Sequence, residues 1–436
     1  MRFDGPPGTS YHRRGSSGSS SSLAVSCPNQ RATDGRDPLD QFDLEDLPHS
    51  GLPSRRTVLA ALGVAAVTVA AGEAPEGASA RRDKRRRKRV KRRNGRRASG
   101  GDHSGSSGAG PEPGAGRPRR VGTTFSQRQC GYLGLDVRNT FAQVCSLGLD
   151  LVRLCAYWDE IEPVAGQYDF TLLDELLAMA AAHGIPVALA VGMKAPRWPE
   201  FHFPSWVASR YAIDQTDQPL DAIPGLADQA LAFVSAVVAH AYDAPGLAYW
   251  QIENEPFHAL EITGNRYLSS QFVSQEAVLV RQASLPGQKL LTTTAINLWP
   301  PEGKPEDDDA LVQAIAISDA VGINVYGKVP VGGGDYLEPS PAYWSKLQAW
   351  HGEIEAAGRE AWIAELQAEP WEQGPWETVR NWATTPSASP EQTTALMERV
   401  ARLGYDTVML WGCEYWVYRQ RQGDGRWWEA MGRLIG

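Results

Sequence analysis

The chain of 436 residues has only five cysteines, Cys27, Cys130, Cys145, Cys155 and Cys413. Their spacing fits neither a disulfide framework nor a zinc motif, although one or two bridges in the body are open. The body's histidines, His183, His202, His240, His258 and His351, show no ligand spacing either. No metal and no cofactor are therefore expected. No apolar run reaches the roughly 20 residues that span a bilayer, which excludes a polytopic membrane protein. A Gly-rich phosphate turn is also missing after the first β-rich segment, VGTTFSQRQCG at 121–131, which argues against a dinucleotide-binding sheet. Residues 1–120 lack tryptophan altogether, and all 15 lie in 121–436. The second part is short of positive charge, with 20 Lys and Arg against 39 Asp and Glu, whereas residues 1–120 carry 23 against 12. A body so acidic repels polyanions, so no nucleic-acid partner is expected and the ligand is neutral or cationic.

What is present first is a leader. Residues 1–53 are low in complexity, with the stretch GSSGSSSS, and read as disordered. Residues 54–80 hold SRRTVL, the 14-residue apolar run Val58–Ala71 and a small-residue close at Ala78-Ser79-Ala80. They resemble a twin-arginine export signal, which implies an extracellular or cell-envelope protein. Residues 81–120 form a basic, Gly/Ser/Pro-rich linker whose segment 81–97 has 13 basic residues in 17. Such a run suits contact with an anionic cell envelope.

From residue 121 to 436, eight apolar β-rich runs alternate with amphipathic helical segments. The runs are 121–126, 149–154, 185–192, 247–254, 289–296, 319–326, 361–366 and 406–412. Continuous apolar strands alternating with helices predict a parallel sheet covered by helices. Eight repeats give the count of a (β/α)8 TIM barrel, so the predicted class is an α/β barrel behind a disordered basic leader. This fold builds its site at the carboxyl ends of the strands. There stand Arg153 and Trp158 after the second run, Lys194, Arg197, Trp198, His202 and Trp206 after the third, and Asn254 and Glu255 after the fourth. Asn297 and Trp299 follow the fifth, Asn324 and Tyr326 the sixth, Glu365 and Trp371 the seventh, and Trp411, Glu414 and Trp416 the eighth.

A carboxylate ending a buried strand is costly unless it is used or paired. Glu255 and Glu365 end opposite strands and can converge on the barrel mouth. One protonated and one ionised carboxyl are what glycosidic bond cleavage requires, and indoles suit stacking on sugar rings. The segments WQIENEP (250–256) and WIAELQAEPW (362–371) resemble the strand-four and strand-seven motifs of clan A glycoside hydrolases, retaining (β/α)8 enzymes that include cellulases, mannanases, xylanases and β-galactosidases. The similarity covers essentially all of 121–436, which it marks as a catalytic domain. It implies Glu255 as the general acid/base, Glu365 as the nucleophile and Asn254 as the partner of the sugar's 2-hydroxyl. It further implies that Arg153 and Tyr326 hydrogen-bond and aim the nucleophile, and that Trp411 lies beneath the sugar being cleaved. Trp158, Trp198, Asn297, Trp299 and Trp371 are added as substrate-binding candidates.

The expectation is a monomeric glycosidase hydrolysing β-linked poly- or oligosaccharides, of cellulase or β-galactosidase type. A transglycosylase using the same residues and an inactive carbohydrate-binding envelope protein are the alternatives. Glu253 reads as lying behind Glu255, Glu162 as loop structure, and Glu369 as a loop residue facing substrate or solvent. Many cellulase-type members carry His where this chain has Gly192-Met193-Lys194 and Asn297-Leu298-Trp299. Lys194, Arg197 and Lys328 are accordingly open as partners of an acidic sugar.

Overall fold

The computed structural model describes residues 117–214, 217–260, 263–299, 302–373 and 376–436. The expected disordered leader, export signal and most of the linker lie outside the described residues. The last linker residues belong to the folded body: Arg117 donates to the Ile435 carbonyl at 3.1 Å, and the first strand starts at Arg120.

Every expected β-rich run forms a barrel strand. These are β1 (Arg120–Thr124), β2 (Leu151–Cys155), β3 (Val187–Val191), β4 (Leu247–Ile252), β5 (Lys289–Ala295), β6 (Ala320–Val325), β9 (Glu360–Gln367) and β10 (Thr407–Trp411). They close in the order β1-β10-β9-β6-β5-β4-β3-β2, with every neighbouring pair parallel. An antiparallel hairpin, β7 (Val329–Gly332) with β8 (Asp335–Leu337), is inserted after the sixth barrel strand. Several of the helices start on side-chain caps, as at Ser126, Ser269, Ser340 and Ser389, two of them with Pro at the first helical turn. Among the described residues no helix is long and apolar enough to cross a membrane.

Two faces of each strand are buried for different reasons. The outward residues join the main core under the helices. The inward ones pack in the barrel, where Leu151, Ala188, Tyr249, Leu291, Ala320, Trp362 and Met409 form one cluster drawn from seven strands. Gly122 supplies no side chain there, and a Cβ on it would stand 2.2 Å from the Leu151 carbonyl and 2.8 Å from the Met409 sulfur. One period of two above this layer the interior turns polar, with Arg153, Gln251 and Thr293 all buried. That polar layer is the floor of the site.

The four cysteines among the described residues are free and buried, so none of the bridges left open by the sequence is formed.

Candidate active site

Glu365 reaches the barrel mouth through a break in alternation. Trp362 points inward, and a Cβ built on Gly322 of β6 would meet the Ala364 side chain at 2.5 Å. Regular pleating would then turn Glu365 outward. Instead the register of β6 against β9 shifts between Ile323 and Asn324, which pairs Asn324 with Glu365. The β9–β10 register shifts at the same level. Such a bulge re-aims a side chain. Glu365 is thereby buried with two donors: Arg153 Nη2 reaches its Oε1 at 2.8 Å and the Tyr326 hydroxyl its Oε2 at 2.6 Å. Arg153 is itself held by Thr124 Oγ1 at 2.8 Å and Gln251 Oε1 at 3.0 Å, which fixes the guanidinium plane.

Glu255 arrives by a different device. Strand β4 ends at Ile252, and Glu253 and Glu255 then take positive φ angles of 57° and 44°. The turn is secured by the Glu255 N–H on Thr293 Oγ1 at 2.9 Å and by Lys194 Nζ on the Glu255 carbonyl at 2.8 Å. Asn324 Nδ2 donates to Glu255 Oε1 at 2.7 Å. Burial pushes the Glu255 carboxyl up to about 8, with the charges of Glu200 and Glu365 adding to the shift and Lys194 and Asn324 opposing it. A neutral carboxyl therefore stands beside Glu365 at neutral pH.

The loop after β3 supports this side of the site. Glu253 does lie behind Glu255, and its carboxylate accepts the N–H groups of Met193 and Lys194 at 2.8 and 2.5 Å. Burial raises Glu253 to about 7, and its neighbour Glu276 is raised well above the carboxylate range by burial and by Glu253. Gly192 makes that approach feasible: its φ is 128°, and a Cβ there would stand 2.3 Å from the Glu253 carboxylate. Gly192→Ala is expected to cost about 2–3 kcal/mol and to lower turnover, because it strains the backbone and displaces Glu253. Urea unfolding of both proteins measures the cost; an unchanged midpoint would show the loop to be pliant.

Arg197, Glu369 and Glu414 form a buried ionic cluster. Arg197 Nη1 bonds Glu369, Nη2 lies 3.5 Å from Glu414 Oε2, and the guanidinium stacks 4.1 Å over Trp411. Glu369 is thus neither in solvent nor free for substrate, as its loop position allowed. Lys194 and Arg197 are likewise committed to carboxylates, and Lys328 pairs with Glu338 at 2.9 Å. The acidic-sugar option loses its cations.

The site candidates divide. Glu255, Glu365, Arg153, Asn254, Tyr326 and Trp411 come together, and Trp371 packs on Tyr326 with ring centroids 4.3 Å apart. Trp158 does not join them. It is fully buried, stacked on Phe233 at 5.2 Å, and its indole donates to Glu162, which is loop structure as expected. Asn297 is spent on its own loop, accepting the Trp299 N–H at 2.8 Å, while Trp299 stays exposed. Trp198 is half-buried, its carbonyl facing the Tyr132 hydroxyl. His202 and His258 are buried; His202 meets the Arg197 carbonyl and His258 the Thr294 hydroxyl. Sequence reasoning missed Glu200 and the bracing role of Thr293. The Thr292–Thr294 run inside an apolar strand was a usable signal for the latter, but Glu200 has none.

Residues 136–272 match the family model of glycoside hydrolase family 42, β-galactosidase. That stretch contains Arg153, Asn254 and Glu255. No curated protein matches. Among solved structures the chain is similar to a β-galactosidase from the haloarchaeon Halorubrum lacusprofundi, at 16% identity over 67% of this chain and 52% of that one, TM-score 0.46. It is also similar to GH5_18 from Streptomyces cattleya, at 16% identity over 73% and 81%, TM-score 0.49. A third likeness is to the exo-β-1,4-mannosidase Op5Man5 from an Opitutaceae bacterium, at 16% identity over 73% and 60%, TM-score 0.47. The chain spans about half the length of the haloarchaeal enzyme. The resemblance to clan A glycoside hydrolases is carried by a family model as well as by the two strand-end motifs.

Proposed function

We propose that this clan A-like barrel is a retaining glycoside hydrolase that cleaves β-linked poly- or oligosaccharides by double displacement. The observation that carries the reading is the arrangement of two buried strand-end carboxyls, Glu255 held by Asn324 and raised by burial to about 8, and Glu365 held by Arg153 and Tyr326. In the first step Glu365 attacks the anomeric carbon while Glu255 gives its proton to the departing glycosidic oxygen, leaving a glycosyl ester on Glu365. Glu255, now ionised, takes a proton from water, whose oxygen attacks the same carbon and frees Glu365. Two inversions give net retention. Asn254 is assigned the 2-hydroxyl, and Trp411 and Trp371 the sugar faces.

Export follows from the same reading. The twin-arginine-like segment at 54–80 would place the enzyme where polysaccharide is met, and the basic run at 81–97 would hold it to an anionic envelope.

Incubation with a panel of aryl β-glycosides (glucoside, galactoside, mannoside, xyloside, cellobioside), read by proton NMR, tests the reaction. The first-formed hemiacetal is expected to be the β anomer; an α product first would overturn double displacement. The pH dependence has a definite sign. The first step needs Glu255 protonated, so kcat/KM is expected to fall tenfold per pH unit above about 8. A profile flat from pH 7 to 10 would remove Glu255 from the acid role.

A further inference from the structure

The loop after β3 is tied back on itself. Lys194 bridges Phe201, the Ala195 N–H bonds the Glu200 carbonyl at 2.9 Å, and the Glu200 N–H bonds the Arg197 carbonyl at 2.8 Å. The result returns Glu200, at φ 66°, to the fully buried Lys194, whose Nζ lies 3.3 Å from Glu200 Oε2 and 2.8 Å from the Glu255 carbonyl. Asn254 stands next to Glu255 in the chain, its amide oxygen taken by Thr293 at 3.0 Å and Gln251 at 3.4 Å. Double displacement by two carboxylates needs neither Lys194 nor Glu200.

We propose that Lys194 and Glu200 are a positioning pair for Glu255: Lys194 pins its backbone, while Glu200 anchors Lys194 and brings a further carboxyl group to the acid/base side of the site. This rests on the reading of Glu255 as the acid/base. The groups facing Glu255 are Glu200 and Lys194 from the loop, Thr293 from β5, Asn324 and Tyr326 from and just after β6, Glu365 from β9 and Tyr343 from the helix after the hairpin. On its own segment, His258 is held at about 3 by burial and by Lys194 and stays neutral throughout. Glu200 is the nearby carboxylate that no step consumes. Its charge opposes ionisation of Glu255, and that of Lys194 favours it.

The test is the pH profile of kcat/KM, from pH 5 to 10, on whichever aryl glycoside the wild type turns over. Glu200→Gln removes the charge and is expected to move the basic limb about one pH unit down. Glu200→Asp keeps the charge on a shorter stem, so its limb is expected to stay in place while kcat drops several-fold. Lys194→Gln is expected to move the limb up, and serves if Glu200→Gln does not fold. A limb that stays put in both neutral variants, or that moves equally in Glu200→Gln and Glu200→Asp, overturns the proposal. A limb belonging to Glu414, near 7, would behave in the first of these ways; one belonging to Glu253, whose ionisation Lys194 favours, would move up in Lys194→Gln and stay put in Glu200→Gln, which equally overturns the proposal. Glu255→Gln is run alongside. Full activity in that variant would sink the acid/base reading itself, whereas an inactive Glu255→Gln with an unmoved Glu200→Gln limb sinks only the pair.

Discussion

Glu365→Ala is expected to lower kcat by about five orders of magnitude, equivalent to roughly 7 kcal/mol of lost transition-state stabilisation, in a protein that still folds. The size follows from what the carboxylate does. Without it no covalent ester forms, and the developing oxocarbenium charge loses its closest anion. Folding is expected to survive because the truncated side chain sits at the mouth, leaving Arg153 with Thr124 and Gln251 as acceptors. The space vacated admits a small anion next to the Arg153 guanidinium. Added azide is therefore expected to attack the anomeric carbon of an aryl glycoside as the aryl oxygen leaves, protonated by Glu255, giving a glycosyl azide of inverted configuration. Glu255→Ala should behave differently, retaining its first step on substrates whose leaving group needs no proton. Wild-type turnover in Glu365→Ala would end the nucleophile assignment. A loss of activity that azide does not restore, in a folded variant, would leave Glu365 as a binding residue only.

The contrast between barrel and site shows what a sequence can carry. The eight strands were legible because a strand buried on both faces must be apolar throughout, and such runs stand out against amphipathic helices. The two strand-end carboxylates were legible for the converse reason, since charge there is costly. How Glu365 faces inward was not. The bulge at Ala364 arises from packing against Gly322 and from register with two neighbouring strands, none of which is local information. Trp158 fails on the same ground. It follows a strand end, but the four-residue helix Trp158–Ile161 turns its indole down onto Phe233. The loop after β3 was opaque altogether. In the sequence Lys194 and Arg197 read as open partners of an acidic sugar and Glu200 carried no signal, and only the folded loop shows that each is paired.

The last of these clusters carries the largest expected loss of stability. Arg197→Met is expected to cost about 3–5 kcal/mol at pH 8, because it leaves Glu369 and Glu414, both nearly inaccessible, without their shared cation. Methionine keeps the stem over Trp411, so little of the loss is packing. The pH dependence separates charge from shape. Burial already raises Glu414 to about 7, with Glu369 adding to the shift and Arg197 and the Ser126 N–H holding it down. Removing Arg197 raises it further. A carboxyl whose folded value lies above its unfolded one contributes stability that is complete below the ordinary carboxylate range and is lost as pH rises through the folded value. Arg197→Met should therefore melt near the wild type at pH 5 and roughly 10 °C below it at pH 8. Adding Glu414→Gln to Arg197→Met should recover part of that gap at pH 8 and little at pH 5, since the amide has the shape of the acid without its charge. Equal melting deficits at both pH values would mean that Arg197 is held for its packing on Trp411, and that the two carboxylates find other partners when it is gone.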